Sequence, residues 1–174
     1  MRAAYIALAF LAATGCGAYN VTRSPVAPGA IAASATDRIR VMEATDGSLE
    51  GHVYGGSGRN LAARVVQALQ GNFVDVALVS TSNLSEALGL SRADHARYLI
   101  VPTILGWEDR NSKWSMMPDR VSVQLALRDV ATDTTVNAIS YQAQSRRQFI
   151  NGNPPPEALL NKNFDRAVRE LLQR

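Results

Sequence analysis

The stretch YLIVPTILGWEDRNSKWSMMPDRVSVQLALRD, residues 98–129, decides the fold of this 174-residue chain. It begins with eight almost entirely apolar residues, a run of strand length that is bounded by polar side chains. It ends with large apolar residues at 121, 123, 125 and 127 that alternate with Ser122, Gln124, Ala126 and Arg128, which is the period of a strand with one buried face. We therefore predict a strand at each end. Because proline cannot donate to a strand ladder, Pro102 requires an edge position or a bulge.

Segments on both sides of this stretch predict the remaining elements, because apolar residues recur there at strand or helix spacing. The resulting order β, α, β, α, β, β, β, α predicts an α/β (α+β) fold, with one domain in which two to three helices pack on a mixed sheet of about five strands. The further predicted elements are strands at 39–41, 74–78 and 135–149, a helix at 57–69 with Ser57 as its N-cap, one or two short helices at 82–97 broken at Gly89, and a last helix opened by prolines 154–156.

The first sixteen residues have the pattern of a bacterial lipoprotein precursor. Arg2 precedes an apolar run at 3–13, which as a helix would rise about 16 Å and is too short for the roughly 30 Å of a bilayer core. Cys16, the one cysteine of the chain, directly follows Ala13-Thr14-Gly15. This arrangement resembles the lipobox, in which the cysteine is acylated and the chain is cut before it. The alternative is an ordinary secretory signal with Cys16 as a bystander.

The lipobox resemblance implies a domain plan and a location. Residues 1–15 are the predicted signal peptide, residues 16–36 the lipidated cysteine with a flexible tether of small, polar and Pro/Gly-bearing sequence, and residues 37–174 one α/β domain. Two or three acyl chains would hold the protein at a membrane, whereas a single chain binds only reversibly. In enterobacterial lipoproteins an Asp after the cysteine retains the protein in the inner membrane. Gly17 at that position therefore implies the outer membrane, facing the periplasm.

Composition and motifs argue against nucleic-acid binding, nucleophilic catalysis and metal binding. The net charge of +3 comes from 18 basic and 15 acidic residues dispersed along the chain, which is too weak for a nucleic-acid footprint. Ser57 lies between glycines, but without the spacing of a nucleophile elbow. His52 and His95 are far apart and form no metal-binding motif. An acylated Cys16 would offer no thiolate. We therefore predict no catalytic residue, no metal site, no cofactor and no nucleic-acid partner.

The loop between the two best strands carries the candidate interaction patch. Residues 106–120 hold both tryptophans, two methionines and several charges, and Trp, Met and Arg are enriched at interface cores. The alternative is structural, with the tryptophans capping one end of the core. A strand through Trp107 would point its neighbour Glu108 to the opposite face of the sheet. The predicted patch comprises Trp107, Glu108, Asp109, Arg110, Trp114 and Arg120.

The same motifs carry a resemblance to a known family. VYGGSGRNLAARVVQAL at 53–69, the stretch at 98–129 with its WEDR, WS and PD, and the lipobox resemble the uncharacterised bacterial lipoproteins of DUF4823. The resemblance covers nearly the whole domain and implies an envelope lipoprotein without an established activity. A coarser resemblance, in the order of elements alone, is to the amino-terminal domain of TolB, to lipoprotein activators of penicillin-binding proteins and to curli-secretion lipoproteins. That likeness bears on fold and not on function.

Three functions remain open. The first is a non-enzymatic binding or assembly module, held to the membrane by its lipid and contacting another envelope component. The second is a cell-wall hydrolase, which would need a concave pocket with convergent polar groups near Ser57, His52 or Glu108. The third is a subunit of an envelope secretion or assembly complex, which would form ring-shaped oligomers.

Overall fold

A six-stranded mixed sheet is the centre of the computed structural model, which describes residues 19–23, 33–109, 118–145 and 155–172. A separate two-stranded hairpin and three helices accompany the sheet. In chain order the elements are β1 (Tyr19–Arg23), β2 (Arg38–Met42), β3 (Ser48–Leu49), β4 (His52–Val53), α1 (Ser57–Leu69), β5 (Asp75–Val79), α2 (Leu84–Ala93), β6 (Tyr98–Glu108), β7 (Arg120–Asp129), β8 (Thr134–Gln144), a short 3₁₀ helix (Pro156–Leu159) and α3 (Lys162–Leu171).

The large sheet has a parallel half and an antiparallel half. Its strand order is β1-β8-β7-β6-β2-β5. Strand β2 runs parallel to β5 on one side and to β6 on the other. The next three pairings, β6 with β7, β7 with β8 and β8 with β1, are antiparallel. The predicted fold class and the predicted order of elements are confirmed, with six strands in place of about five.

Helices cover the two faces of the sheet unequally. Helices α1 and α3 pack on one face, where Leu61, Val65 and Phe164 are fully buried against the alternating apolar residues of β6, β7 and β8. Helix α2 packs on the opposite face, around Met42 and Leu99. Its contacts reach β2, β5 and β6. Among the described residues no helix covers the α2-side face of β7, β8 and β1, so that half of the sheet stays open.

Strand β6 accommodates Pro102 although it lies inside the sheet. The pairing of β6 with β2 ends at Ile100, so Pro102 lies where one side of β6 no longer requires backbone donors. The bulge predicted for this strand falls between Ile104 and Gly106. The edge-like environment and the bulge predicted for Pro102 are therefore both present, but at neighbouring positions of one strand.

Strand β1 corrects the prediction that residues 17–36 form a tether without regular structure. All five of its residues pair antiparallel with β8, from Tyr19 opposite Ala143 to Arg23 opposite Ile139. The segment YNVTR has a single aliphatic residue, Val21, which packs against the core. So short an alternation gives no hydrophobic period that would predict a strand. The strand forms because its backbone pairs with the edge of β8.

Two predicted helix boundaries are also wrong. Gly56, with φ of 84°, is the N-cap of α1, and Ser57 already lies in the first turn. Helix α2 continues through Gly89, where a break was predicted, since one glycine costs only about 1 kcal/mol inside a helix. The hairpin of β3 and β4 was not predicted, because two-residue strands carry no periodicity.

A buried arginine joins β2 to its neighbours on the α2 side. Nη1 of Arg40 donates to Asp75 Oδ1 at 2.7 Å and to the carbonyl oxygen of Ile39 at 3.0 Å, and its Nε and Nη2 contact the carboxylate of Asp94. Hydrogen bonding from Arg40 lowers the pKa of Asp75. Arg38, two residues earlier, pairs with the same carboxylates at longer range, with Nε of Arg38 3.2 Å from Asp75 Oδ2.

We expect Arg40→Ala to destabilise the domain far more than Arg38→Ala. The Arg40 side chain is 7% exposed and the Arg38 side chain 48% exposed. Removing the buried cation should cost about 3 kcal/mol, the low end for breaking a buried pair, because both carboxylates keep partial hydration. Removing the exposed one should cost less than about 1 kcal/mol. Urea unfolding followed by circular dichroism measures both, and equal losses would contradict this role of Arg40.

Candidate functional site

The open half of the sheet presents a polar, mostly uncharged surface. Residues that alternate with the buried apolar ones on β6, β7, β8 and β1 point to this side. The registers of these strands align them in rows across the sheet. The rows are Glu108, Arg120 and Gln144; then Gly106, Ser122, Gln142 and Asn20; then Thr103, Gln124, Ser140 and Thr22.

A groove of about 430 Å³ opens at one end of this surface. We call it the sheet groove; residues of β1, β6, β7 and β8 line it, from Tyr19 at the outer edge to Glu108 on β6. Its volume is within the range of small-molecule sites. Gly106, which follows the bulge of β6, forms part of the floor. A side chain there would meet Ser122 at an ordinary contact distance and would fill part of the groove.

The sheet groove combines both charges with neutral hydrogen-bonding groups. Glu108 and Arg120 are opposite residues on β6 and β7, so a carboxylate and a guanidinium stand side by side. The amides of Asn20, Gln142 and Gln144 add groups that both donate and accept hydrogen bonds. Tyr19, which is 47% exposed, belongs to the outer end of the lining, although its register partner Ala143 lies on the core face of the sheet. This set suits a polar ligand that carries a positive and a negative charge.

The predicted interaction patch is divided by the sheet. Trp107 is 1% exposed and belongs to the core on the α1 side. Glu108 and Arg120 face the opposite side and line the sheet groove. The carbonyl oxygen of Asp109 accepts a hydrogen bond from the Tyr54 hydroxyl at 3.4 Å. Trp107 therefore serves as scaffold, which was the structural alternative. The other two members of the patch, Arg110 and Trp114, lie outside the described residues.

Sequence reasoning missed most of the residues that line the sheet groove. Tyr19 and Asn20 lie in the segment predicted to be a tether. Ser122 and Gln142 occupy the polar positions of strands that were predicted correctly, where they looked like an ordinary solvated face. The signal that could have found them is the run of amides and hydroxyls, without lysine or glutamate, on the polar side of two adjacent strands.

Ser57 has a structural role at the start of α1. Its buried Oγ accepts a hydrogen bond from the Gly47 N–H at 2.9 Å. The carboxylate of Asp46 accepts from the N–H groups of Gly58 at 2.8 Å and Gly56 at 2.9 Å. These two backbone hydrogen bonds, Gly58 first, lower the pKa of Asp46. The loop after β2 thereby caps α1 from outside the helix, a role that charged and polar groups commonly fill at helix N-termini.

The residues considered for a hydrolase are not brought together. His52 is exposed on β4, with its ring edge-on to Tyr54 at a centroid distance of 4.7 Å. Of His52, Ser57 and Glu108, which all lie in the described segments, only Glu108 lines the sheet groove. Within the described ranges no three His, Cys, Asp or Glu side chains cluster closely enough to hold a metal ion.

Within the described segments no helix has both the length and the apolarity that crossing a bilayer requires.

The fold and the sheet groove define a class: an α/β domain whose mixed sheet is half covered by helices and half open. The model of DUF4823, a domain of unknown function, matches residues 33–171. The chain therefore belongs to the DUF4823 family, as its motifs indicated. Among curated proteins no match is found.

Two PelC structures share this fold at low sequence identity. A PelC dodecamer from Paraburkholderia phytofirmans aligns with a TM-score of 0.68 and 16% identity, over 91% of this chain and 100% of that one. A second PelC dodecamer from the same organism gives a TM-score of 0.60 and 15% identity, over 90% and 100%. A lipoprotein from Neisseria meningitidis aligns more loosely, with a TM-score of 0.41 and 13% identity, over 76% and 94%.

We expect Trp107→Ala to act on stability and not on surface recognition. The ring is buried, and it is packed so closely that a Cβ placed on Gly47 would lie 2.6 Å from the Trp107 Cβ. Truncation should cost about 3–5 kcal/mol, as for other buried tryptophans. Tyr19→Ala, at a ring that is 47% exposed, should cost about 0.5 kcal/mol. Urea titration measures both, and an unchanged midpoint for Trp107→Ala would refute its scaffold role.

Proposed function

We propose that this protein is an envelope lipoprotein, acylated at Cys16 and held on the periplasmic face of the outer membrane, where it acts as a non-enzymatic assembly module that joins copies of itself. Three features support the proposal. The lipobox pattern precedes a folded domain, the domain has the fold of proteins solved as PelC dodecamers, and among the described residues the edge strand β5 has no partner on its outer side.

The anchoring part of the proposal rests on the amino-terminal pattern. The apolar run ends at a small-residue site followed by the single cysteine of the chain. Each acyl CH₂ that enters the membrane contributes about 0.8 kcal/mol, so two or three chains hold a protein durably. The domain itself needs no membrane-spanning element under this scheme.

The assembly part rests on β5, the observation that carries it. Within the described residues β5 pairs only with β2, so its outer backbone groups are available to another strand. Val76 and Leu78 of this strand pack against the α1-side core, whereas Val74, directly before the strand, is 84% exposed. A short edge strand without lysine or proline favours strand addition. Contact between β5 and a different surface of the next copy is heterologous, and such contacts form a ring when their rotation closes.

Changing Cys16 to Ser should release the protein from the membrane. We expect the variant to incorporate no labelled palmitate and to move to the soluble envelope fraction, because the diacylglyceryl group is attached to the thiol and acylation of the new amine follows that step. Gly17→Asp is the matched control, since it keeps the cysteine and should stay acylated while moving to the inner-membrane fraction. A Cys16→Ser protein that remains membrane-bound would refute the anchoring proposal.

Changing Val74 to Glu should weaken self-association. A charge at this exposed edge must be desolvated in the contact, so we expect the dissociation constant to rise at least tenfold, or about 1.4 kcal/mol. Val53→Glu is the matched control, an equally apolar residue that is 60% exposed on the hairpin. Native mass spectrometry of the detergent-solubilised protein reports the distribution of oligomers. A wild-type monomer at all concentrations, or equal effects of the two variants, would contradict the assembly role.

A further inference from the structure

The distance along the chain between the anchor and the sheet sets the position of the domain. This step rests on the proposed acylation of Cys16. Strand β1 begins at Tyr19, only three residues after the cysteine. Three residues reach at most about 11 Å even when fully extended. A free tether of twenty residues would instead allow a separation of roughly 25 Å.

The short connection enters the sheet at the end that carries the sheet groove. Tyr19, the first residue of β1, pairs with Ala143 near the end of β8, and both residues line the sheet groove together with Gln144. The opposite end of the same strands is the turn around Ala131. The ten steps along β8 from Gln144 to Thr134 separate the two ends by about 34 Å.

We infer that the pairing of β1 with β8 holds the domain against the membrane with the groove-bearing end of the sheet at the level of the lipid headgroups. The lipid that enters the membrane at Cys16 lies within about 11 Å of Tyr19, whatever the path of the chain between them. The far turn points away from the membrane. The exposed Tyr19 at this end of the sheet is in keeping with this orientation, because aromatic rings with a polar end favour the interface.

The lining of the sheet groove identifies the headgroup chemistry that would enter it. Arg120 presents a guanidinium, which pairs well with phosphate oxygens. Glu108 stands opposite it and makes the lining as negative as it is positive. A headgroup that carries a phosphate and an amine, as in phosphatidylethanolamine, matches this balance better than a purely anionic one. The neighbouring amides offer hydrogen bonds to the glycerol and phosphate oxygens.

A pair of site-specific fluorophores tests the orientation in the full acylated protein. Gln144→Cys and Ala131→Cys each introduce a thiol at an exposed position, and it is the only reactive one because Cys16 carries lipid. The proteins are reconstituted in phosphatidylethanolamine–phosphatidylcholine vesicles containing a headgroup-attached quencher. We expect strong quenching at Gln144 and background quenching at Ala131. Equal quenching at both positions would overturn the inference.

Vesicle flotation separates this inference from the proposed function on which it rests. Protein that does not float with vesicles overturns the lipid anchor, and the orientation with it. Protein that floats but shows equal quenching at the two labels overturns the orientation alone.

Two insertions test whether β1 is the element that sets the distance. Six Gly/Ser residues between Gly17 and Ala18 lengthen the connection before β1 by about 20 Å and should abolish the quenching at Gln144. The same six residues between Ala27 and Pro28, after β1, should leave it unchanged. If β1 did not pair with β8, both insertions would lengthen the tether and reduce quenching equally, which would refute the inference.

Arg120→Gln tests the headgroup. In vesicles whose phosphatidylethanolamine and phosphatidylcholine are both replaced by a phosphate-free galactolipid, quenching of the Gln144 label in the wild type should fall. In the Arg120→Gln protein it should be the same in both kinds of vesicle. A wild-type signal that does not depend on the headgroup would refute phosphate recognition by the sheet groove.

Discussion

Strand β6 is the constraint on which the rest of the structure depends, because it pairs in parallel on one side and antiparallel on the other. Parallel partners need crossover connections, and these place helices on both faces of that half of the sheet. Antiparallel partners need only short turns. The antiparallel half is therefore covered on one face and open on the other. Among the described residues no helix packs on its other face, and the side chains there are mostly polar.

Two features of the strands form the sheet groove on the open face: a bulge in β6 and the addition of β1. The bulge before Gly106 shifts the register of β6 beyond the residues that pair with β2. Strand β1 then pairs along β8 as the last strand of the sheet. Together they enclose the sheet groove between strands that are distant in sequence. The buried faces of the same strands hold Trp107 and Tyr141, and burial raises the pKa of Tyr141 to about 12 while its hydroxyl donates to the Leu159 carbonyl oxygen. One side of the sheet is therefore rigid core and the other is accessible.

Most of the fold could be predicted because its elements are long enough to have a period. The alternation in β7 buries Val121, Val123, Leu125 and Leu127, and the predicted strands and helices occur in the predicted order, with β1 and the β3–β4 hairpin added. The elements and contacts that the sequence did not predict are short or depend on residues that are distant in the chain. Two-residue strands and the five residues of β1 have no measurable period. The N-terminus of α1 is capped by Asp46, eleven residues before the helix begins and invisible to local cap rules.

The sequence by itself determined the lipoprotein-type amino terminus, the α/β class, the order of the main elements and the family to which the domain belongs. These properties depend on local composition and on hydrophobic period, which any stretch of chain carries with it. Only the tertiary structure decided that Trp107 is buried and that Glu108 and Arg120 line one groove with Gln142 and Gln144. It also decided that the first strand of the sheet begins three residues after Cys16. Those outcomes depend on which strands pair and on which face a helix covers, and pairing is a choice among distant segments that no local pattern records.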